Sequence, residues 1–397
     1  MKEYHVGLLG AVINNENMGC VALTYSLLHL LENISQEQEC VFTYYIFEDV
    51  ANEDRLRLAA KRLSIDFQRL RSRPVVYLFG YRRMMHHPVS VLKVLRGIYK
   101  CDFFIDLTSG DSFTDIYGQK RFDEHTDIKE LVKWKMKKPL ILGPQTYGPF
   151  NNEKNRIRAS KLIEKADCVI ARDQISAEYI QEYSVKKQVF VTTDMAFGLP
   201  FTVQDSHVDK IRIGINVSSL LVKEKTEETE IHFTLKTDYD LYMKALISNL
   251  LSDSRYEIHI IPHVGRDAGN ELKKEFPSLV YVDAFEDPVS AKNYISMMDI
   301  FIGARMHATV AAFSSGVATI PVAYSRKFTG LYQTLDYPYV IDMTKLETTK
   351  AIETTISYIK HYRDLKESAK VGLEIAREKN EQTYKIMRSC IQKIIFS

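Results

Sequence analysis

Three cationic side chains interrupt apolar stretches in the last third of the chain. Arg305 and His307 follow the run DIFIGA at 299–304, and Lys327 follows the run VATIPVAY at 317–324. Arginine can bind a carboxylate through two hydrogen bonds, lysine offers a point charge to phosphate, and histidine transfers protons near neutral pH. Together these residue types predict an anion-binding site with acid–base chemistry.

The predicted secondary structure places these side chains at one edge of a sheet. The two apolar runs are typical of buried strands, and the segment between them is typical of a helix that ends at Gly316. A right-handed crossover would make the strands parallel, and parallel sheets bind ligands at the carboxyl ends of their strands. The helix beginning near Ala308 would add free N–H groups and a positive dipole. The alternative is that Arg305 pairs with Asp299 and that His307 only packs.

Two further loops are predicted to reach the same edge. One follows the apolar run IRIGINV at 211–217, and the other follows YEIHIIP at 256–262. They supply Asn216, Ser218 and His263, whose side chains can donate hydrogen bonds to an anion. We therefore expect these three residues to belong to the anion site.

The alternation of apolar runs and helical segments extends along the whole chain. The runs are continuously apolar, which is typical of parallel sheets covered on both faces, and 397 residues exceed one ordinary domain. The sequence therefore predicts an α/β fold of two doubly wound, Rossmann-like domains facing each other across a cleft, a GT-B-like arrangement. The predicted parts are an N-terminal domain at 1–203, a C-terminal domain at 204–375, and a C-terminal helix at 376–397 that could pack back on the N-terminal domain.

Composition argues against several classes of protein. A formal net charge of +2 does not suit a general nucleic-acid binder, so we expect no nucleic-acid partner. The five cysteines include no Cys-x-x-Cys pair, which favours free thiols in a reducing cytoplasm over disulfides or zinc. No run of about 18 apolar residues occurs, so we expect no transmembrane helix and a cytoplasmic protein.

Polar residues after two strands of the first domain are further candidates. Asn17 and Gly19 follow the first strand, where they could bind a substrate, although Asn17 could equally cap the next helix. Asp111 and Asp115 follow the strand CDFFIDL, where they could accept protons from hydroxyl groups or cap a loop. The sequence contains no metal-binding motif, and we expect no metal site.

Seven short segments, in order along the chain, carry a family resemblance. They are NMGCVALTYSLLHLL (17–31), SGDSFTDIYG (109–118), GPQTYGPF (143–150), ADCVIARDQISAEYI (166–180), TTDMAF (192–197), IGINVS (213–218) and MMDIFIGARMHATVAAFSSGVATIPVAYSRK (297–327). The last is the most specific, with its Arg-x-His and Tyr-x-x-Lys patterns. On these segments the chain resembles the polysaccharide pyruvyl transferase family. SGD at 109–111 departs from the glycine-rich run that is usual there, and Gln145-Thr146-Tyr147 departs from a Gln-Gly-x run.

The resemblance implies an enzyme that transfers the pyruvyl group of phosphoenolpyruvate to two hydroxyls of a sugar, forming a cyclic ketal. Arg305 would bind the donor carboxylate, Lys327 would bind its phosphate, and His307 would bind the donor and protonate its methylene carbon. The three loop residues named above would complete the donor site. No cofactor is implied.

The resemblance also implies a sugar acceptor, such as a galactose in a lipid-linked or polymeric glycan. Its binding residues would be Asn17, Gly19, Asp111 and Asp115, with Asp115 as the catalytic candidate among them. The biological setting would be the synthesis of bacterial capsule, exopolysaccharide or cell-wall glycan.

The segment 67–101 contains eight Lys or Arg residues and no acid, interleaved with apolar residues. One interpretation is a solvated helical face above a buried core. The other is a surface that attracts anionic lipid headgroups or a lipid diphosphate, giving peripheral contact with the inner face of the membrane.

Two other classes of function remain open at this point. A nucleotide-sugar glycosyltransferase would share the two-domain fold, but it would not explain Arg305, His307 and Lys327. A carbohydrate-binding relic would have kept the fold and lost the chemistry.

Overall fold

The computed structural model describes residues 1–48, 52–74, 88–183, 186–203, 209–221, 234–265 and 269–396. The chain forms two compact units. The first contains Met1–Asn15, Cys20–Leu199 and Glu378–Ser397, and the second contains Glu16–Gly19 and Pro200–Arg377. Residues 75–87, part of the basic stretch predicted to attract lipid, lie outside the described residues.

The first unit is built around one parallel sheet. Its strands within the described ranges are β1 (Lys2–Leu9), β2 (Cys40–Glu48), β3 (Leu70–Pro74), β4 (Phe103–Asp106), β5 (Leu140–Gln145), β6 (Cys168–Ala171) and β7 (Phe190–Val191). They lie in the order β3-β2-β1-β4-β5-β6-β7, and all the pairings are parallel. The order reverses between β1 and β4, the position at which doubly wound sheets bind ligands.

Helices follow most of these strands. They are α1 (Met18–Glu37), α2 (Glu53–Leu63), α3 (Pro88–Lys100), α4 (Gln119–Glu130), α5 (Glu153–Lys165) and α6 (Gln174–Tyr183). Every residue of β4, β5 and β6 is buried. Because the side chains on both faces of these strands are buried, the strands are continuously apolar in sequence.

The second unit repeats the design with a shorter sheet. Its described strands are β8 (Ile211–Asn216), β9 (Tyr256–Ile260), β10 (Val280–Tyr281), β11 (Ile300–Gly303), β12 (Ala318–Ala323) and β13 (Ile341–Asp342). They lie in the parallel order β10-β9-β8-β11-β12-β13, with the reversal between β8 and β11. The described helices are α7 (Tyr239–Leu251), α8 (Gly269–Glu275), α9 (Pro288–Ile295), α10 (Met306–Ser314), α11 (Arg326–Gln333), α12 (Thr348–Lys360) and α13 (Tyr362–Ile395).

Side-chain caps explain where several helices begin. Asn52 accepts a hydrogen bond from the N–H of Arg55 at the start of α2. Asp287 accepts from the first turn of α9, where Pro288 occupies the first helical position. Asp238 accepts from the N–H of Leu241, so the isolated Asp-x-Asp at 238–240 starts α7.

These observations confirm the predicted α/β class with two doubly wound parallel sheets. No helix in the described part of the chain is both long and apolar enough to span a bilayer.

A buried ion pair lies at the carboxyl edge of the first sheet. Lys129 Nζ is 3.3 Å from Asp106 Oδ1, and both side chains are at most 1% exposed. The ammonium also donates to Thr108 Oγ1 at 2.7 Å and to the carbonyl of His125 at 3.0 Å. Burial lowers the pKa of Lys129 and the Asp106 carboxylate opposes that shift, so the pair is held by its mutual attraction.

We expect Lys129→Met to lower the free energy of unfolding by about 3–5 kcal/mol, because it leaves the Asp106 carboxylate buried without a cation. Urea denaturation at neutral pH measures the loss. Lys120→Met, on the same helix with a side chain 78% exposed, is the matched control and should leave stability unchanged. Adding Asp106→Asn to Lys129→Met should recover part of the loss. Equal stability of the two single variants would show that the pair is not structural.

Candidate functional site

Asn216 lies at the point where the strand order of the second sheet reverses. It is the last residue of β8, is 1% exposed, and its Oδ1 accepts the N–H of Arg305 at 3.1 Å. Its carbonyl accepts the N–H of Ala304 at 3.3 Å, and its amide donates to the carbonyl of Ile261 at 2.9 Å. One side chain thus ties together the ends of β8, β9 and β11, where a doubly wound sheet binds its ligand.

Arg305 is the N-cap residue of α10. Its backbone is extended, with φ −101° and ψ 120°, and its carbonyl accepts the first helical N–H groups, from Ala308 and Thr309. Its Nη2 donates to Ser219 Oγ at 3.2 Å. Asp299 precedes β11 and accepts the N–H of Arg212 at the opposite end of the strand. This placement argues against the alternative Arg305–Asp299 ion pair.

His307 packs against Gly19, which belongs to the same unit. A Cβ built on Gly19 would lie 2.3 Å from His307 Nδ1 and 2.6 Å from its Cγ, far below van der Waals contact. Only glycine therefore lets the backbone approach the imidazole in this position. The N–H of Gly19 donates to Asn17 Oδ1 at 3.0 Å, so Asn17 caps α1 as one alternative anticipated.

The segment Glu16–Gly19 belongs to the second unit through the loop that follows β9. The N–H of Met18 donates to the carbonyl of His263 at 3.1 Å, and the N–H of Gly265 donates to the carbonyl of Glu16 at 3.3 Å. Asn17 and Val264 form an isolated antiparallel bridge between these contacts. Gly19 is thereby placed beside His307.

His263 is a neutral histidine in positive surroundings. Its side chain is 3% exposed. Burial, together with the positive charges of His307 and Arg305, lowers the pKa of His263 from 6.5 to about 3. At neutral pH its imidazole can therefore both donate and accept a hydrogen bond.

Ser218 and Lys327 complete the predicted donor group. The N–H of Ser218 donates to Tyr239 Oη at 2.9 Å, and Ser218 Oγ, fully buried, has no hydrogen-bond partner among the residues the structure describes. Lys327 lies in the first turn of α11, with Nζ 5.8 Å from the ring centroid of Tyr324. Because β12 runs parallel beside β11, α10 and α11 start at the same edge of the sheet.

Two contacts at this edge were missed in the sequence. Ser219, the partner of the Arg305 guanidinium, directly follows Ser218, and its position in that loop was an available signal. Tyr239 lies 21 residues from Ser218 at the start of α7, and only the fold brings its hydroxyl to the loop.

The two acidic candidates lie in the first unit. Asp111 Oδ2 accepts the hydroxyl of Tyr117 at 3.3 Å, and its charge helps to raise the pKa of Arg172. Asp115 accepts hydrogen bonds from the N–H groups of Asn151 and Asn152 at 2.8 and 2.9 Å, and a third from Asn155 at 3.1 Å. These contacts make Asp115 an anchor of the 151–155 segment and favour its loop-capping interpretation over proton transfer.

The loop before Asp111 has an uncommon backbone. Thr108, Ser109 and Gly110 have φ values of 40°, 51° and 86°, in the left-handed region that glycine adopts most easily. Gly10 faces this turn, and a Cβ there would lie 2.4 Å from the Thr108 backbone. Within 109–111, glycine in place of Ser109 would adopt this left-handed conformation with less strain.

The whole chain is similar to solved sugar-nucleotide enzymes. UDP-GlcNAc 2-epimerase from Neisseria meningitidis, solved with UDP-GlcNAc, superposes with a TM-score of 0.61 at 12% identity over 99% of this chain and 100% of that chain. Anabaena Alr3699/HepE, solved with UDP and glucose, gives a TM-score of 0.57 at 12% identity over 94% and 95% of the two chains. At such identities the likeness shows the fold alone, and it confirms the GT-B-like class.

The sequence comparisons are more specific. The amylovoran biosynthesis protein AmsJ of Erwinia amylovora is 19% identical over 288 residues, 68% of each chain. The family model for polysaccharide pyruvyl transferase matches residues 17–326, a span that begins at Asn17 and contains Asn216, Arg305 and His307. With that match over more than half of its length, the chain belongs to the polysaccharide pyruvyl transferase family.

Proposed function

We propose that this enzyme transfers the pyruvyl group of phosphoenolpyruvate onto two hydroxyls of a sugar in exopolysaccharide synthesis, forming a cyclic ketal. The observation that carries the proposal is the positive edge of the second sheet. There Arg305 and His307 lie at the start of α10, and Lys327 lies at the start of α11. A donor with one carboxylate and one phosphate matches this set of groups.

The donor would be held by charge and by helix ends. The planar guanidinium of Arg305 can bind the carboxylate through two hydrogen bonds. Ser219 helps to orient the guanidinium, because its Oγ accepts a hydrogen bond from Arg305 Nη2. Lys327 and the N-termini of α10 and α11 would bind the phosphate. Ser218 Oγ and the neutral imidazole of His263 offer further hydrogen bonds.

His307 would start the reaction as general acid. It delivers a proton to the methylene carbon of the enol phosphate, which becomes a methyl group and leaves an oxocarbenium-like carbon. One sugar hydroxyl adds to that carbon with loss of its proton. Phosphate then leaves, and the second hydroxyl closes the ketal with loss of its own proton. Asp111 in the first unit is a candidate to accept a hydroxyl proton, and the scheme uses no metal or cofactor.

The acceptor and the compartment are part of the proposal. We propose a sugar with two free hydroxyls, such as a galactoside, as the acceptor. Cys40, Cys101 and Cys168 are buried thiols, which suits a reducing cytoplasm.

The direct test incubates the protein with phosphoenolpyruvate and a panel of galactosides and other glycosides. We expect phosphate release that requires both substrates, and a product heavier than the sugar by one pyruvyl ketal in mass spectrometry. UDP and UDP-sugars serve as controls in a thermal-shift measurement. Stabilisation by UDP and not by phosphoenolpyruvate would favour a nucleotide-sugar glycosyltransferase instead.

We expect His307→Ala to reduce turnover by about 10²–10⁴, because loss of a general acid typically costs that much in rate. The affinity for phosphoenolpyruvate, measured by calorimetry, should change by less than about tenfold, since Arg305 and Lys327 remain. His307→Gln separates loss of the proton from loss of volume beside Gly19, and it should be equally slow. His361→Ala, at an exposed histidine, is the control. Turnover of folded His307→Ala near the wild-type rate would remove His307 from the mechanism.

We expect Arg305→Lys to weaken phosphoenolpyruvate binding at least about tenfold, or about 1.4 kcal/mol, because an ammonium cannot form the paired hydrogen bonds of a guanidinium. The dissociation constant from calorimetry is the measurement. Arg363→Lys, at an exposed arginine of the same unit, is the matched control. An unchanged constant for Arg305→Lys would assign Arg305 a purely structural role.

A further inference from the structure

The outward face of α3 exposes apolar and cationic side chains together. Val89, Leu92 and Tyr99 are 65%, 47% and 74% exposed, although each is a large apolar residue. Lys93, Arg96 and Lys100 are exposed on the same helix. Leu92, Arg96 and Tyr99 are spaced by four and three residues, so they lie on one helical face.

A pocket opens beside this face. Its volume is about 730 Å³, and its apolar interior includes Leu95 and Met136, with Arg73 and Lys100 among its cations. Lys138 contacts Tyr99, one of the residues that line the pocket, because its Nζ donates to the carbonyl of Tyr99 at 3.1 Å. Trp134, two residues before Met136, is 39% exposed. An anionic head and an apolar chain could both be accommodated here.

The positive charge of this face is not balanced locally. None of Lys93, Arg96 and Lys100 forms an ion pair with a carboxylate in the described part of the chain. By contrast, Arg158 on α5 pairs with Asp123, Asp127 and Glu130. The cations of α3 therefore keep their charge available to an external anionic surface.

We propose that the outward face of α3, with its adjoining pocket, is a docking surface for an anionic phospholipid bilayer. Exposed apolar side chains gain by entering the boundary between headgroups and acyl chains, and cations beside them gain from the negative surface potential. A water-soluble polyanion would match the cations and leave Val89, Leu92 and Tyr99 without a partner. Docking of this face to a bilayer does not depend on the identity of the pyruvyl donor or of the sugar acceptor.

The test is co-sedimentation of the full-length protein with lipid vesicles. We expect binding to phosphatidylcholine vesicles that contain phosphatidylglycerol, and much weaker binding to phosphatidylcholine alone. Binding should fall at high salt, because the Debye length shortens from about 10 Å at 0.1 M to about 3 Å at 1 M. The combined variant Lys93→Gln, Arg96→Gln and Lys100→Gln should lower the partition constant at least about tenfold.

A matched control lies on α5 of the same unit, where Lys154, Lys161 and Lys165 are also exposed. Their combined change to Gln alters net charge equally and should leave binding near wild type. Leu92→Ser tests the apolar contribution against Ile157→Ser, whose side chain is 48% exposed. Leu92→Ser should weaken vesicle binding, and Ile157→Ser should not. All variants should keep the wild-type melting temperature.

Several outcomes would overturn the proposal. Equal binding to neutral and anionic vesicles would show that electrostatic attraction does not drive docking. If the α3 and α5 triple variants lost vesicle binding equally, the attraction would depend on net charge and not on the face of α3. Binding to polyglutamate or DNA without binding to vesicles would assign the face to a macromolecular polyanion. Failure of docking would leave phosphate release from phosphoenolpyruvate with a soluble sugar unaffected, so the two proposals can fail separately.

Discussion

The hydrogen bonds of Asn216 determine the geometry of the candidate donor site. Its side chain accepts the N–H of Arg305 and donates to the carbonyl of Ile261, so one buried amide sets the ends of three strands. Because Arg305 is the N-cap of α10, fixing its backbone also fixes the direction of the helix and the position of His307 two residues later. A hydrophobic side chain at position 216 would leave those backbone groups buried without partners.

The imidazole of His307 is positioned by its close contact with the backbone of Gly19. Gly19 contacts it from one side, and the loop carrying His263 holds the segment that contains Gly19. His263 contributes to this arrangement without adding charge, since its pKa of about 3 keeps it neutral. The protein thus places a second imidazole, held neutral, near His307 and Arg305 at a smaller electrostatic cost than a further positive charge would impose.

The sequence predicts those site residues that directly follow apolar strands, and it does not predict the others. Arg305, His307 and Lys327 could be placed at one edge because each follows an apolar run, and the parallel pairing of β11 with β12 agrees with that placement. The membership of Glu16–Gly19 in the second unit could not be foreseen, because it depends on contacts with residues about 250 positions away. Lys129 gave no sign of burial, since its helix, QKRFDEHTDIKE, is charged along most of its length. Likewise, the hydrogen bonds to Asp115 become visible only once the 151–155 segment is folded beside it.

The carboxyl edges of the two sheets differ in how their charged side chains are arranged. At the edge of the first, the buried cations Arg172 and Lys129 are matched by the carboxylates of Asp194 and Asp106. At the edge of the second, burial, with His307 and Arg305 alongside, lowers the pKa of His263 to about 3, so this imidazole is neutral at neutral pH. The second edge instead brings Arg305 and His307 to the N-terminus of α10, an arrangement suited to bind an anion. This difference between the two edges supports our proposal that the second unit binds the donor.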